Sequence, residues 1–422
     1  MGSTNVDESV TIPSWMNNEF LSEILSKEKK REISVRHFHA KLAVPKGDNY
    51  LSTLYRVTVE YSDSEADSCI KNYNIIIKGL PVGELLQQFL ADMKGFEKEQ
   101  QIYGVTFPAM YRIMEEKFPK DKFRPLSAKC LPCNLPNTLV LEDLQRLGYK
   151  MANRQKGLDV EHCRMAVRAL ARLHAASVAL YKNDPNSMDM FGEEFFVDNE
   201  RKRQQMSTHF KMNMENLASK VETWTGYEHY ADRIRALIPN AIDQMIEITK
   251  PKKNSFNALN HGDCWVNNMM FKYCPDTGKL QDIRFVDFQL ARFSSPVLDL
   301  QYFLCMSSND SVRFQQRDHL LEEYHAELSD SLSCLDLDPE MFTLQQLKDE
   351  FEASECFGLL TTCNVLCAML AQKDEVPDFS ELKEESLESG EQQHPMESAL
   401  SGKRFREVFQ TFLVHYDNKG LL

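Results

Sequence analysis

The sequence predicts an α+β protein in which a β-rich N-terminal region precedes a larger, mainly α-helical region. Three runs rich in alternating, β-branched or aromatic residues, at 34–44, 51–61 and 73–78, are separated by turn-forming residues and predict strands. Beyond Gly148, apolar residues recur at three- and four-residue steps, as they do on one face of a helix. The chain of 422 residues is long enough for both regions to bury a core.

The same patterns predict the domain organisation. Residues 1–30 form an N-terminal helical extension, because their apolar residues recur at helical spacing. We assign residues 31–143 to the β-rich region and residues 144–422 to the helical region. Within the helical region, residues 373–402 are acidic and poor in apolar residues, which predicts a loop or a partly disordered insertion.

Composition excludes several classes of protein. The 63 acidic residues outnumber the 49 basic ones, and a net charge of -14 disfavours binding to nucleic acid. Eleven cysteines, an odd number spread over a long chain, suit a reducing compartment, and no secretory signal is visible, so we expect a cytoplasmic protein. The most apolar stretch, residues 357–371, is too short and too polar for a bilayer span. We therefore expect a buried core helix there and no membrane insertion.

Two segments carry the strongest chemical signal. In LNHGDCWVNNMMFKY, Asp263 is followed five residues later by Asn268, and in IRFVDFQLARFSSPVLDL, Asp287 ends a short predicted strand. Phosphoryl transfer needs a carboxylate that accepts a hydroxyl proton, an amide oxygen that holds Mg²⁺, and a second carboxylate that bridges the metal to the phosphates. These three parts occur here in that order.

The first segment resembles the H-x-D-x-x-x-x-N catalytic loop of kinase-like phosphotransferases, through His261, Asp263 and Asn268. Taken with FVDFQLARFSSPVLDL, LVLEDL and IIIKGLP, it resembles the ecdysteroid kinase-like family of arthropods, which is related to choline kinases and aminoglycoside phosphotransferases. The likeness runs from about residue 30 to the C-terminus. It implies a two-lobed protein-kinase-like fold with a small β-rich N-lobe and a larger α-helical C-lobe.

The resemblance also implies roles for individual residues. Asp263 would be the catalytic base, and Asn268 and Asp287 would be the Mg²⁺ ligands. His261 would support the loop, and Asp299 would buttress it without touching substrate.

In the β-rich region, the resemblance implies that Lys78, at the end of its strand, positions the phosphates of ATP. Its partner would be Glu99, with Glu97 as an alternative. The other residues expected to bind ATP lie in the loop over the phosphates and in the segment that would hold adenine: Asn49, Ser52, Glu142 and Leu144.

Two further patterns are interpreted as structural. His174 lies on an apolar helix face, which favours a hydrogen-bonded core histidine without a catalytic part. Cys130 and Cys133 form a single C-x-x-C without a second pair, so neither a zinc site nor redox chemistry is predicted.

We therefore expect an enzyme that transfers the γ-phosphoryl group of ATP, with Mg²⁺, to a hydroxyl of an ecdysteroid or another apolar or xenobiotic alcohol. A choline or ethanolamine kinase is the alternative chemistry. A binding protein that has kept the fold and lost activity is the alternative of another class, but the intact catalytic residues argue against it. A protein kinase is disfavoured because no A-P-E segment follows Asp287. The sequence identifies neither the acceptor molecule nor any protein partner.

Overall fold

The structure is a computed structural model. It describes residues 12–44, 52–63, 69–81, 83–192, 200–372, 374–376 and 396–422. Asn49, one of the residues expected to bind ATP, and most of the acidic segment 373–402 lie outside these described residues.

The chain divides into two compact units. Unit 1 comprises residues 1–87 and 128–148, and unit 2 comprises residues 88–127 and 149–422. The helical residues 88–127 thus group with the second unit rather than with the strands that precede them.

Unit 1 is built on a five-stranded antiparallel sheet with the strand order β1-β2-β3-β5-β4. A helix, α1 (Asn18–Lys29), precedes the sheet and begins after Asn17, whose side chain accepts a hydrogen bond from the Phe20 N–H. The strands are β1 (Ser34–Leu42), β2 (Thr53–Ser62), β3 (Lys71–Gly79), β4 (Cys130–Leu131) and β5 (Leu139–Glu142).

The apolar core of unit 1 lies between α1 and one face of this sheet. Ile75 and Ile77 of β3 are fully buried in it, together with Leu21 and Ile24 of α1. Because successive strand residues point to opposite faces, Lys78 is directed to the other face of the sheet, where it is only 2% exposed.

Unit 2 is mainly α-helical. Helix α2 (Glu84–Asp92) contains the boundary between the units, and a π-helical turn, Ile102–Thr106, separates α3 from α4. The other α-helices in the part of the chain that the structure describes are α3 (Gly95–Gln101), α4 (Phe107–Lys117), α5 (Val160–Asn183), α6 (Asp189–Gly192), α7 (Glu200–Val221), α8 (Tyr230–Leu237), α9 (Ala241–Thr249), α10 (Val297–Met306), α11 (Arg317–Cys334), α12 (Leu344–Ala353), α13 (Glu355–Leu370), α14 (Glu397–Leu400) and α15 (Lys403–Asn418).

In the described residues of unit 2, two small antiparallel sheets lie among these helices. One has the order β6-β8-β9, and the other pairs β10 with β7. Their strands are β6 (Tyr149–Met151), β7 (Ala258–Asn260), β8 (Met269–Tyr273), β9 (Leu280–Phe285) and β10 (Arg292–Ser294). One candidate catalytic segment is the loop between β7 and β8, and the other joins β9 to β10. The ends of both segments are therefore fixed by short strands that lie among the helices.

The core of unit 2 surrounds two helices that are apolar on almost every side. Every residue of α10 is buried, as are most residues of α13, including polar Thr362 and Asn364, whose side chains hydrogen-bond to backbone oxygens one turn earlier. The predicted core helix at residues 357–371 is confirmed. Among the described helices, none is by itself long and apolar enough to cross a membrane, although the bent pair Pro339–Ala353 and Glu355–Leu370 meets that test by length and composition.

Candidate catalytic site

The loop between β7 and β8 brings together the aspartate and asparagine that the sequence singled out. The side-chain nitrogen Nδ2 of Asn268 donates to the backbone oxygen of Asp263 at 2.9 Å and to its carboxylate Oδ2 at 2.8 Å. A 3-10 turn, Val266–Asn268, makes this closure possible, because it returns the chain towards Asp263 within five residues. Both bonds use Nδ2, so the amide oxygen Oδ1 is the atom of Asn268 suited to a hard cation.

A tyrosine that the sequence analysis did not identify binds the other oxygen of the same carboxylate. The Tyr302 hydroxyl on α10 donates to Asp263 Oδ1 at 2.7 Å. Burial raises the pKa of Asp263, the hydrogen bond from Tyr302 opposes this rise, and the charge of Asp287 adds to it. A raised pKa makes the carboxylate a better proton acceptor than an exposed aspartate.

Asp299, in the first turn of α10, hydrogen-bonds to the backbone of the β7–β8 loop. Its carboxylate is 1% exposed and accepts hydrogen bonds from the His261 N–H at 2.6 Å and the Gly262 N–H at 2.9 Å. Burial acts to raise the pKa of Asp299, but the hydrogen bond and charge of His174, the charge of His261 and the Gly262 N–H together hold it below its usual value. Asp299 is therefore an anion inside the unit, and it touches the loop backbone.

His174 completes this buried network. Its Nε2 lies 3.2 Å from Asp299 Oδ2, and its Nδ1 lies 2.9 Å from the Tyr324 hydroxyl. The Nε2 side of the ring therefore hydrogen-bonds to the carboxylate, and the Nδ1 side hydrogen-bonds to the tyrosine hydroxyl. The prediction of a hydrogen-bonded core histidine is confirmed, and the histidine links α5 to α10 and α11.

Asp287 follows β9 in a left-handed backbone conformation, with φ of +67°. Few residues other than glycine adopt this conformation, and its cost is characteristic of functional sites. The preceding residue, Val286, donates its N–H to the Asn268 backbone oxygen at 3.0 Å, and its carbonyl lies 3.0 Å from His261 Nε2. These two bonds fasten the Asp287 segment to the β7–β8 loop.

Phe288 forms the centre of an aromatic cluster beneath the site. Its ring lies 4.4 Å from the His261 ring and contacts Tyr103 and Phe107 edge-on, at 5.9 and 5.0 Å between ring centroids. The Phe288 N–H donates to Glu99 Oε1 at 3.2 Å. Glu99 lies in α3, Tyr103 in the π-helical turn and Phe107 in α4. These contacts therefore fix residues 99–107 to the Asp287 segment.

Of the two glutamates considered as the lysine partner, Glu99 is fully buried and Glu97 is exposed. The other predicted residues belong to unit 1. Lys78, Ser52 and Leu144 are buried there, and the Glu142 carboxylate accepts from the Lys129 N–H at 2.7 Å.

In the described parts of the chain, no group of three or more His, Cys, Asp or Glu side chains could hold a metal ion. A cation shared with phosphate oxygens needs no such group.

The close approach of Gly262 to the Asp287 segment generates a stability prediction. A Cβ at Gly262 would lie 1.9 Å from the Leu290 backbone oxygen, and φ is +83°. We expect Gly262→Ala to force the two segments apart. Gly278→Ala is the matched control, because Gly278 also has a positive φ, of +67°, but nothing lies within 4 Å of its Cβ position.

In urea denaturation, Gly278→Ala should lower the free energy of unfolding by about 1–2 kcal/mol, the backbone cost alone. Gly262→Ala should cost at least about 2 kcal/mol more, since overpacking against backbone is added. Equal losses for the two variants would show that the loop is not packed against Leu290.

Comparison with solved structures finds likeness to small-molecule kinases. The chain is similar to the Plasmodium vivax ethanolamine kinase, with 13% identity, 88% of this chain and 84% of that chain covered, and a TM-score of 0.41. It is similar to the amicoumacin kinase hAmiN, solved with AMP-PNP and Ca²⁺ (11% identity, 94% of each chain, TM-score 0.39). It is also similar to the choline kinase LicA from Streptococcus pneumoniae (11% identity, 94% of this chain and 99% of that chain, TM-score 0.34).

None of the curated proteins compared with the chain matches it in sequence. The sequence profile of the ecdysteroid kinase-like family, however, matches residues 46–337. Together with the β-rich first unit and the mainly helical second unit, this match confirms the predicted α+β, protein-kinase-like fold. Because the match spans more than half of the chain, the protein belongs to the ecdysteroid kinase-like family.

Proposed function

We propose that the protein is a small-molecule kinase that transfers the γ-phosphoryl group of ATP to the hydroxyl of an apolar alcohol, an ecdysteroid or a xenobiotic. The observation that carries this proposal is the Asp263 carboxylate, held at one oxygen by Tyr302 and at the other by Asn268. Family membership supports a phosphotransferase acting on a small molecule. The donor, the metal and the acceptor class are our inference.

In the proposed reaction, Asp263 accepts a hydrogen bond from the acceptor hydroxyl and orients its oxygen towards the γ-phosphorus. The oxygen–phosphorus bond to the acceptor forms as the bond between the γ-phosphorus and the β–γ bridging oxygen breaks, so that ADP leaves. The hydroxyl proton passes to the Asp263 carboxylate. Because phosphoryl transfer depends mainly on positioning and charge, a carboxylate fixed at both oxygens is suited to this task.

Asn268 and Asp287 are the residues that we propose would hold Mg²⁺, which when bound would offset the negative charge of the phosphates. Asn268 offers its amide oxygen, since its nitrogen is bound to Asp263. From the sequence resemblance, we propose that the Lys78 ammonium group would bind the α- and β-phosphates, with Glu99 as its partner. The nucleotide contacts assigned to Asn49, Ser52, Glu142 and Leu144 rest on the sequence resemblance. We propose a cytoplasmic location from the odd number of cysteines spread over the chain.

The direct test of function is product formation. The purified protein should consume ATP in the presence of Mg²⁺ and add one phosphoryl group to a member of a panel of ecdysteroids, plant-derived alcohols, choline and ethanolamine, detected by mass spectrometry. A phosphorylated steroid or xenobiotic is the expected result. Phosphocholine or phosphoethanolamine would instead establish the alternative chemistry. Nucleotide binding without any product across the panel would favour a binding protein that has lost activity.

Asp263→Asn tests the role of the carboxylate. We expect kcat to fall by about 10²–10⁴-fold, because the amide can still accept a hydrogen bond but cannot take the proton. ATP affinity, measured by calorimetry, should stay unchanged.

Asp276→Asn, in the exposed turn between β8 and β9, is the matched control and should leave both quantities unchanged. Turnover of Asp263→Asn within a few-fold of the wild-type value would show that another group accepts the proton.

A further inference from the structure

Helix α10 contacts the catalytic loop at two points on one helical face. Asp299 and Tyr302 are three residues apart, a spacing that puts their side chains side by side on a helix. Asp299 accepts from the backbone N–H groups of His261 and Gly262, while Tyr302 reaches the side chain of Asp263. One helix turn therefore holds both the backbone of the loop and its reactive carboxylate.

The Tyr302 hydroxyl is committed to donating. Tyr302 is 8% exposed, and burial raises its pKa well above the usual value, so the phenol keeps its proton. Its ring belongs to the apolar core of unit 2, in the same buried cluster as Leu298 and Met306. A phenylalanine would fill the same apolar site. The hydroxyl is therefore not needed for packing, and burying it is costly unless it is hydrogen-bonded.

The carboxylate of Asp263 has two fixed donors, one on each oxygen. Tyr302 binds Oδ1 at 2.7 Å and Asn268 binds Oδ2 at 2.8 Å. The torsion that turns an aspartate carboxylate about its Cβ–Cγ bond has a broad energy minimum, so a single donor leaves it free to rotate. Two donors on different oxygens define the plane of the carboxylate. Each oxygen keeps a further lone pair, so an acceptor hydroxyl can still bind.

We propose that Tyr302 is a positioning residue for phosphoryl transfer, whose hydroxyl fixes the plane of the Asp263 carboxylate towards the acceptor. This inference rests on the proposed function and adds to it a residue that does not touch the nucleotide. It follows that loss of the hydroxyl slows transfer and leaves nucleotide binding intact. It also follows that the effect depends on Asp263.

The kinetic test is Tyr302→Phe in the full-length protein. We expect kcat for the acceptor found in the panel to fall by about 10- to 100-fold, as for a misplaced reacting group, while the Kd for Mg-ATP changes less than twofold. In the Asp263→Asn background, the second substitution should cause no further loss.

Tyr230→Phe is the matched control. Tyr230 is also a buried tyrosine of unit 2 that donates to a carboxylate, Asp417 Oδ2 at 3.0 Å, and Asp417 belongs to α15 and not to the catalytic loop. Its loss should leave kcat unchanged. If Tyr302→Phe has wild-type kcat while the wild-type protein is active, the inference is wrong and the proposed function stands. If the wild-type protein transfers no phosphoryl group to any acceptor, both are wrong.

A second measurement examines the hydrogen bond without relying on activity. Thermal unfolding midpoints are compared for the wild type, Tyr302→Phe, Asp263→Ala and the double variant. Tyr302→Phe should lower the midpoint in the wild type, and should leave it unchanged or raise it when Asp263 has been replaced. The same loss in both backgrounds would show that the hydroxyl does not bind Asp263, and would overturn the inference.

Discussion

The candidate site depends on one buried anion, the Asp299 carboxylate. A charge inside a protein is costly unless donors surround it, and here two backbone N–H groups and a histidine supply them. The carboxylate also lies in the first turn of α10, where the helix dipole favours negative charge. Because two of the three donors are consecutive residues of the catalytic loop, satisfying the anion also fixes the path of that loop.

The rest of the site follows from this constraint. The loop passes through Gly262 in a conformation that leaves no room for a side chain, and the next residue is Asp263. Behind Asp299, the fully buried His174 and Tyr324 connect α10 to two long helices, so the anion is anchored to the core of the unit. The reactive carboxylate is thus carried by a loop whose backbone is held by rigid elements, an arrangement that suits catalysis by alignment.

The parts that the sequence predicted are those determined by local spacing. Asp263 and Asn268 are five residues apart, and a short turn is enough to join them. The strand that contains Lys78 was predicted from its run of β-branched residues, and the burial of His174 was predicted from its position on an apolar helix face. Tyr302 could not be found in this way, because its contact with Asp263 spans 39 residues and one tyrosine on an apolar helix resembles any other core residue. Its spacing of three from Asp299 was the one available signal. The acceptor molecule could not be predicted from the sequence for another reason, because one fold serves many substrates.

The most direct test of this account is amide hydrogen exchange of the segment containing His261 and Gly262 in Asp299→Asn, measured beside phosphoryl transfer by the same protein. The substitution keeps the shape of the side chain but removes the charge and one of its two acceptor oxygens. The account predicts exchange at least about tenfold faster in this segment, with transfer reduced at least as much and ATP affinity retained. Unchanged exchange together with unchanged transfer would contradict it, because the loop would then be held by something other than the buried anion.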